Sequence, residues 1–354
     1  MQNITVLGAG YMGSAITFPL SDNGNKVNLW GTWLDDEIIE SSLKGFHPRL
    51  KKPLPENVNL YYWQDIKPAV EESDVIFIGV ASEGFVNVFK LLLDNLNPEK
   101  DYYFFKLTKG LVEYNNKVSR ATEAARDMFG TKFPGRDFNW TSIGGPVRAL
   151  DLSERTPTAS MYGISNEKIK KLIPDFSTEY YRIFPNNDVK GTEICSMLKN
   201  IYAVSAGVCD GIYKKEKEGK YFNLLSFLFN QAIREMSKVI NIAGCSQETI
   251  HDLAGVGDLH VTSVAGRNRK FGELIGKGIP GEEAFRQMAK DGEYAEGYFA
   301  LKLVIPWLAQ SATKEMIDDF IEKELPLLHT LRSIMIEGAK PDEQLKKMIL
   351  KLGY

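Results

Sequence analysis

Ile4-Thr5-Val6-Leu7-Gly8-Ala9-Gly10-Tyr11-Met12-Gly13 runs a β-branched strand directly into a glycine-spaced turn, and the residues that follow suit a helix. The spacing is weak by itself; its place between a strand and a helix gives it weight. Gly8 permits the tight turn, Gly10 lets the backbone approach a pyrophosphate, and Gly13 lets helix and strand pack closely. N–H groups at the helix start favour the anion. A glycine-rich turn that binds nothing is the competing reading. Pro19 falls inside the predicted helix, where its ring and missing N–H predict a kink, and Gly24 is placed to cap the helix.

Further strands read outward from this turn: Val27-Asn28-Leu29-Trp30, Val75 to Val80, Tyr102 to Leu107 and Trp140-Thr141-Ser142-Ile143. Helix-like stretches separate them, which predicts a parallel sheet covered by helices. The run Val75 to Val80 is apolar throughout, as in a strand buried on both faces. Thr158 to Tyr162 and Tyr181 to Phe184 are placed at one edge of the sheet. Between Gly31 and Asp36 no Arg stands ready for a ribose 2′-phosphate, so NAD is favoured slightly over NADP. Asp35 and Asp36 fit a ribose hydroxyl or, equally, a helix start whose dipole they complement.

After Asn187 the pattern becomes helical, with a long helix predicted from Thr192 to Cys209 and others over Leu224 to Ala243, Arg267 to Gly276 and Lys314 to Lys323. The fold class is therefore α/β: a Rossmann-type dinucleotide-binding domain over residues 1–187 and an all-helical substrate and catalytic domain over residues 188–354. The mixed charge run Lys214 to Lys220 reads as a solvated loop.

The 354 residues, 44% hydrophobic and 25% charged, are too many for one comfortable core. With 43 basic and 46 acidic residues the net charge of −3 provides no general field for nucleic acid or an anionic membrane. No apolar run is long enough to span a bilayer, and no signal sequence is evident, so a cytoplasmic location is expected. Cys195, Cys209 and Cys245 are odd in number and widely spaced, which predicts buried thiols and neither a disulfide framework nor a metal site.

Reducing a ketone with a nicotinamide requires a proton donor at the carbonyl oxygen, and a substrate phosphate requires fixed cationic and N–H donors. Lys199 and Asn200 fall inside a predicted helix among apolar residues. An interior Lys is by itself more often a snorkelling residue. Gly266-Arg267-Asn268-Arg269-Lys270 opens a helix on glycine, where backbone N–H groups and the Arg267 guanidinium suit one phosphate. Cations at that end oppose the helix dipole and need a reason to be there.

Several separated motifs share one order: the Gly8 to Gly13 turn, Thr108-Lys109-Gly110, Gly144-Gly145-Pro146, Leu198-Lys199-Asn200, Gly257-Asp258-Leu259, Gly266-Arg267-Asn268 and Glu296-Gly297. In that order the chain resembles the NAD(P)-dependent glycerol-3-phosphate dehydrogenases along nearly its whole length. The resemblance implies interconversion of sn-glycerol 3-phosphate and dihydroxyacetone phosphate with NAD or NADP, in the direction that supplies phospholipid precursor, by a homodimer. It implies Lys199 as proton donor and acceptor, with Lys109 and Asp258 beside it as catalytic residues. Substrate contacts would fall to Lys109, Gly145, Asn200, Asp258, Thr262, Gly266, Arg267 and Asn268. Cofactor contacts would fall to Gly8, Gly10, Tyr11, Met12, Gly13, Lys109, Ala149, Arg267 and Glu296. No membrane insertion and no nucleic acid partner is expected.

Two segments depart from the family pattern. Val147 and Arg148 follow Gly-Pro where a small hydroxyl residue and an apolar one are usual, and residues 213–227 lose the small-residue pattern. A dehydrogenase of 6-phosphogluconate or hydroxy-acid type and a non-catalytic dinucleotide-binding sensor are the rival readings.

Overall fold

Successive residues of a strand point to opposite faces, so a strand covered on both sides must be apolar at every position. Val75-Ile76-Phe77-Ile78 obeys this rule: Val75 and Phe77 enter one core with Ile4, Val6 and Phe105. Ile76 and Ile78 enter a second core with Leu7, Phe104 and Trp140. The computed structural model describes residues 1–214, 220–311 and 314–352. They form two units, Met1–Glu193 and Ile194–Tyr354. Residues 215–219, the centre of the charge run expected to be a loop, lie outside the described residues.

The first unit holds β1 (Asn3–Leu7), β2 (Lys26–Trp30), β3 (Val58–Tyr61), β4 (Val75–Ile78), β5 (Tyr103–Lys106), β6 (Leu111–Tyr114), β7 (Lys117–Arg120), β8 (Asn139–Gly144), β9 (Thr158–Ile164) and β10 (Tyr181–Asn186). Eight strands form one sheet in the order β10-β9-β8-β5-β4-β1-β2-β3. The pairings from β3 to β8 are parallel. In register, Phe77 lies opposite Phe105, and their rings stack with centroids 4.8 Å apart.

Two features differ from the sequence reading. β9 runs antiparallel to β8, and β10 returns parallel to β9, so the sheet is mixed at the edge. β6 and β7 form a separate antiparallel hairpin whose turn residues, Asn115 and Asn116, both adopt positive φ. Asn tolerates that conformation, and the twist of such a turn suits a two-residue hairpin.

The first helix, Tyr11–Asp22, continues through Pro19 and ends at Gly24, whose φ is +82°. Gly24 N–H donates to Ser21 O and Asn25 N–H to Leu20 O, the paired bonds of a Schellman cap. Gly24 thus serves as the expected cap.

All secondary structure described after β10 is helical. The long helix expected from Thr192 to Cys209 is two helices, Val189–Tyr202 and Val204–Tyr213, interrupted at Ala203. The Ser205 hydroxyl donates to the Tyr202 carbonyl at 2.7 Å, a local competition with the backbone ladder that bends helices. The remaining expected helices are observed as Phe222–Ile242, Arg267–Gly276 and Lys314–Glu324. Cys195 and Cys209 are buried, while Cys245 is half-buried.

Glu235 ties this unit together. Its carboxylate accepts from Gln231, from the Tyr202 hydroxyl at 3.0 Å, and from the Leu327 and Leu328 N–H groups that begin the helix Pro326–Met335. Burial nevertheless pushes its carboxyl up to about 7, against the pull of those four donors. The folded protein therefore holds a proton that the unfolded chain releases from about pH 4.5 upward. This group's contribution is greatest below the unfolded pKa and is lost as pH rises towards 7, by up to about 3 kcal/mol. In urea unfolding, the stability difference between wild type and Glu235→Gln should vary with pH across that window and be flat above pH 8. A difference that does not move between pH 4.5 and 7 would refute the shift.

Candidate active site

The glycine turn lies where strand order reverses, at the carboxyl ends of β1 and β4, the place open α/β sheets bind ligands. Gly8 has φ +99°, a conformation L side chains rarely adopt. A Cβ on Gly13 would lie 1.9 Å from the Gly8 carbonyl oxygen, so any side chain there forces helix and strand apart. Gly10 is different: its Cβ would meet only a flexible guanidinium nitrogen of Arg49, at 3.3 Å. No side chain caps the helix start at Gly10. The turn thus offers an open cradle at Gly10 above a rigid base at Gly8 and Gly13, which fits a dinucleotide pyrophosphate. Tyr11 and Met12 pack partly against the core.

Gly10→Val should accordingly leave the fold standing and weaken NADH and NADPH binding together. Gly13→Ala should lower the melting temperature because backbone must move. Unchanged titrated affinities in folded Gly10→Val would place the cofactor elsewhere.

The carboxylate of Asp35 accepts from Thr32 N–H at 2.9 Å, the Thr32 hydroxyl at 2.8 Å and Ala9 N–H at 3.3 Å, so it braces this turn. Asp36 and Glu37 occupy the first turn of the helix Asp36–Leu43. The sequence reading overlooked the loop around His47 and Arg49. His47 is fully buried, accepts from Leu50 N–H at Nδ1, and so presents Nε2–H to Ser14 Oγ at 2.8 Å and Ala9 O at 3.3 Å. Burial lowers its pKa, and a neutral ring suits that role. Arg49 lies over the Tyr11 ring, 5.8 Å from its centroid. Its only sequence signal was the basic run Arg49-Leu50-Lys51-Lys52.

Lys109 follows β5, and Ala149 begins the short helix Ala149–Ser153. Gly145 has φ +118°, and Val147 N–H donates back to its carbonyl. Arg148, the unexpected cation, lies within 3.5 Å of the Asp151 carboxylate at the surface.

In the second unit, Lys199 is 6% exposed near the end of the helix Val189–Tyr202. A buried ammonium must be paired. Its Nζ donates to Asp258 Oδ1 and to Thr262 Oγ1, each at 2.8 Å. Asp258 and Thr262 share one face of the helix Asp258–Val264, four residues apart. A π-turn, Leu253–Gly257, leads into Asp258. Such turns are frequent at functional sites.

A second linked group adjoins Lys199 through its neighbour Asn200. Asn200 Nδ2 donates to Glu296 Oε2 at 2.9 Å, and its Oδ1 accepts from Asn268 Nδ2 at 3.0 Å. Asn268 Oδ1 accepts from Gly297 N–H. Arg267 reaches Glu296 Oε1 at 3.3 Å and keeps 40% of its side chain exposed. Arg269, two residues on, is committed to Asp210 through Nε at 2.6 Å and Nη2 at 2.9 Å. Gly266, at φ +123°, begins their helix. Of these two arginines Arg267 is the more exposed, and it lies beside Glu296. The Asn268 side chain thus bridges Asn200 and the Gly297 backbone.

Residues 3–170 match the N-terminal model of NAD-dependent glycerol-3-phosphate dehydrogenase, and residues 188–346 match its C-terminal model. The chain is 34% identical over 345 residues to an NADP(+)-dependent glycerol-3-phosphate dehydrogenase of Archaeoglobus fulgidus, covering 97% of each. It is 28% identical to a glycerol-3-phosphate dehydrogenase [NAD(P)+] of Carboxydothermus hydrogenoformans, covering 97% of this chain and 94% of that one. Among solved structures it is similar to glycerol-3-phosphate dehydrogenase from Coxiella burnetii, with TM-score 0.82, 28% identity and 98% of both chains covered.

Proposed function

The chain belongs to the NAD-dependent glycerol-3-phosphate dehydrogenase family, and we propose that Lys199 delivers the proton to the substrate C2 oxygen in its reaction. The protein is an NAD(P)-dependent enzyme that interconverts sn-glycerol 3-phosphate and dihydroxyacetone phosphate. One observation carries the role of Lys199: a buried ammonium held at 2.8 Å by both a carboxylate and a hydroxyl.

The bound nicotinamide supplies or takes up the hydride. Gly8, Gly10, Tyr11, Met12 and Gly13 hold the pyrophosphate end, with Ala149 and Glu296 as further cofactor contacts. Lys199 gives its proton to the C2 oxygen during reduction and takes one back during oxidation. Asp258 orients the amine through its carboxylate, and Thr262 fixes the same nitrogen from a second direction. Lys109 and Gly145 assist the substrate, while Gly266 and Arg267 bind its phosphate by backbone N–H and guanidinium groups. Asn200 and Asn268 align Glu296 and the Arg267 helix start.

Residues 1–187 then form the dinucleotide-binding domain and residues 188–354 the catalytic one. No helix among the described residues is long and apolar enough to cross a membrane. A cytoplasmic homodimer working in the reductive direction, supplying glycerophospholipid precursor, is the corresponding physiological reading. Steady-state reduction of dihydroxyacetone phosphate with NADH and NADPH in parallel tests the whole assignment. Turnover of hydroxy acids or 6-phosphogluconate in preference to this substrate would overturn it.

A further inference from the structure

A lysine at the end of a buried strand is out of place unless its charge is used. Lys106, the last residue of β5, is 1% exposed. Its Nζ lies 3.1 Å from Glu193 Oε1, and Arg120 Nη1 lies 2.9 Å from Glu193 Oε2. Thr122 N–H also donates to Glu193, at 3.1 Å. Burial pushes the Lys106 pKa down; burial also opposes the Glu193 charge, but the two cations and the Thr122 donor outweigh it and hold that carboxyl below its ordinary range. Such a buried ionic group is seldom a net source of stability compared with well-packed apolar residues. Its geometry shows another use.

Lys106 Nζ donates at 2.8 Å to the carbonyl of Thr108, two residues further along its own chain. The Thr108 hydroxyl donates to Val80 O at 2.7 Å, and Thr108 N–H to Ile78 O at 3.3 Å. On the other side of Lys109, a Cβ on Gly110 would lie 2.5 Å from Ser82 Oγ, so the backbone hugs the start of the helix Ser82–Asn95. Lys109 therefore projects from a turn pinned immediately before and after it.

From this we infer that Lys106, whose charge is balanced by Glu193, is a positioning residue for Lys109. It holds the Thr108 carbonyl, and so the backbone from which the Lys109 side chain departs, without touching substrate. The inference rests on the reading of Lys109 as a participant in the reaction. Lys106→Met removes the hold at nearly unchanged length. A misplacement of about 1 Å is commonly worth roughly 10²-fold in rate, so kcat/KM for dihydroxyacetone phosphate should fall by about 10- to 100-fold.

A double-mutant cycle with Lys109→Ala separates positioning from general damage. If Lys106 acts through Lys109, adding Lys106→Met to Lys109→Ala should change kcat/KM by no more than about twofold, the additivity error. An equal loss in both backgrounds would overturn the positioning role while leaving Lys109 in the reaction. Normal kcat/KM in Lys109→Ala would overturn the reading of Lys109 and the inference together. Lys106→Met also takes one of its two cations from the buried Glu193 carboxylate, so the neutral pair Lys106→Met/Glu193→Gln is measured beside it. Recovery of melting temperature with kcat/KM still low supports positioning. Recovery of both would show that Lys106 serves only to balance charge.

Discussion

Lys199→Ala should lower kcat for dihydroxyacetone phosphate reduction by about 10²–10⁴-fold, the usual range for loss of a general acid. NADH affinity should remain near normal, because the glycine turn does not depend on this side chain. The same substitution leaves Asp258, 1% exposed, without its ammonium partner. Breaking a buried ion pair from one side costs about 3–5 kcal/mol of stability. Activity must therefore be read on protein shown to be folded, and Lys199→Ala/Asp258→Asn supplies the control. That double variant removes the stranded charge and should recover melting temperature while staying inactive. Substantial turnover in either folded variant would remove Lys199 from the chemistry.

Arg267→Leu should raise KM for dihydroxyacetone phosphate steeply. A guanidinium–phosphate contact is charge-assisted and bidentate, worth about 1.5–3 kcal/mol or roughly 10- to 100-fold. Activity on unphosphorylated dihydroxyacetone, already weak, should change far less. Some loss of kcat is expected as well, because binding energy from the phosphate helps orient the reacting carbon. Glu296 loses its guanidinium partner in this variant, so NADH affinity is measured alongside. Arg269→Leu provides the contrast: with the buried Asp210 left without its guanidinium partner, it should reduce stability first. Equal proportional losses on the two substrates in Arg267→Leu, with cofactor binding unchanged, would show that this arginine does not read phosphate.

Much of the fold was legible because its signals are local. Alternating buried strands, the glycine turn and the Gly24 cap follow from side-chain period and backbone conformation within a few residues. The Asn115-Asn116 hairpin carried an equally local signal that was overlooked: two residues tolerant of positive φ between Leu111–Tyr114 and Lys117–Arg120. The antiparallel turn of β9 had none, since alternation does not distinguish strand direction. The break at Ala203 coincides with the Ser205 hydroxyl donating to the Tyr202 carbonyl three residues back, a contact that apolar spacing does not register.

For the candidate site, sequence by itself determined which residue types were present, in which order, and that the turn at Gly8 to Gly13 had to be glycine-rich. Those properties belong to single residues and their immediate backbone. Tertiary structure alone decided which charges were committed to one another. Lys199 meets Asp258 and Thr262 across 59 and 63 positions, and Arg269 is taken by Asp210 across 59, leaving Arg267 the more exposed. Lys106 meets Glu193 only because β5 and the start of the helix Val189–Tyr202 are brought together. A charge's role depends on the partner that desolvation forces upon it, and that partner is chosen by the folded chain.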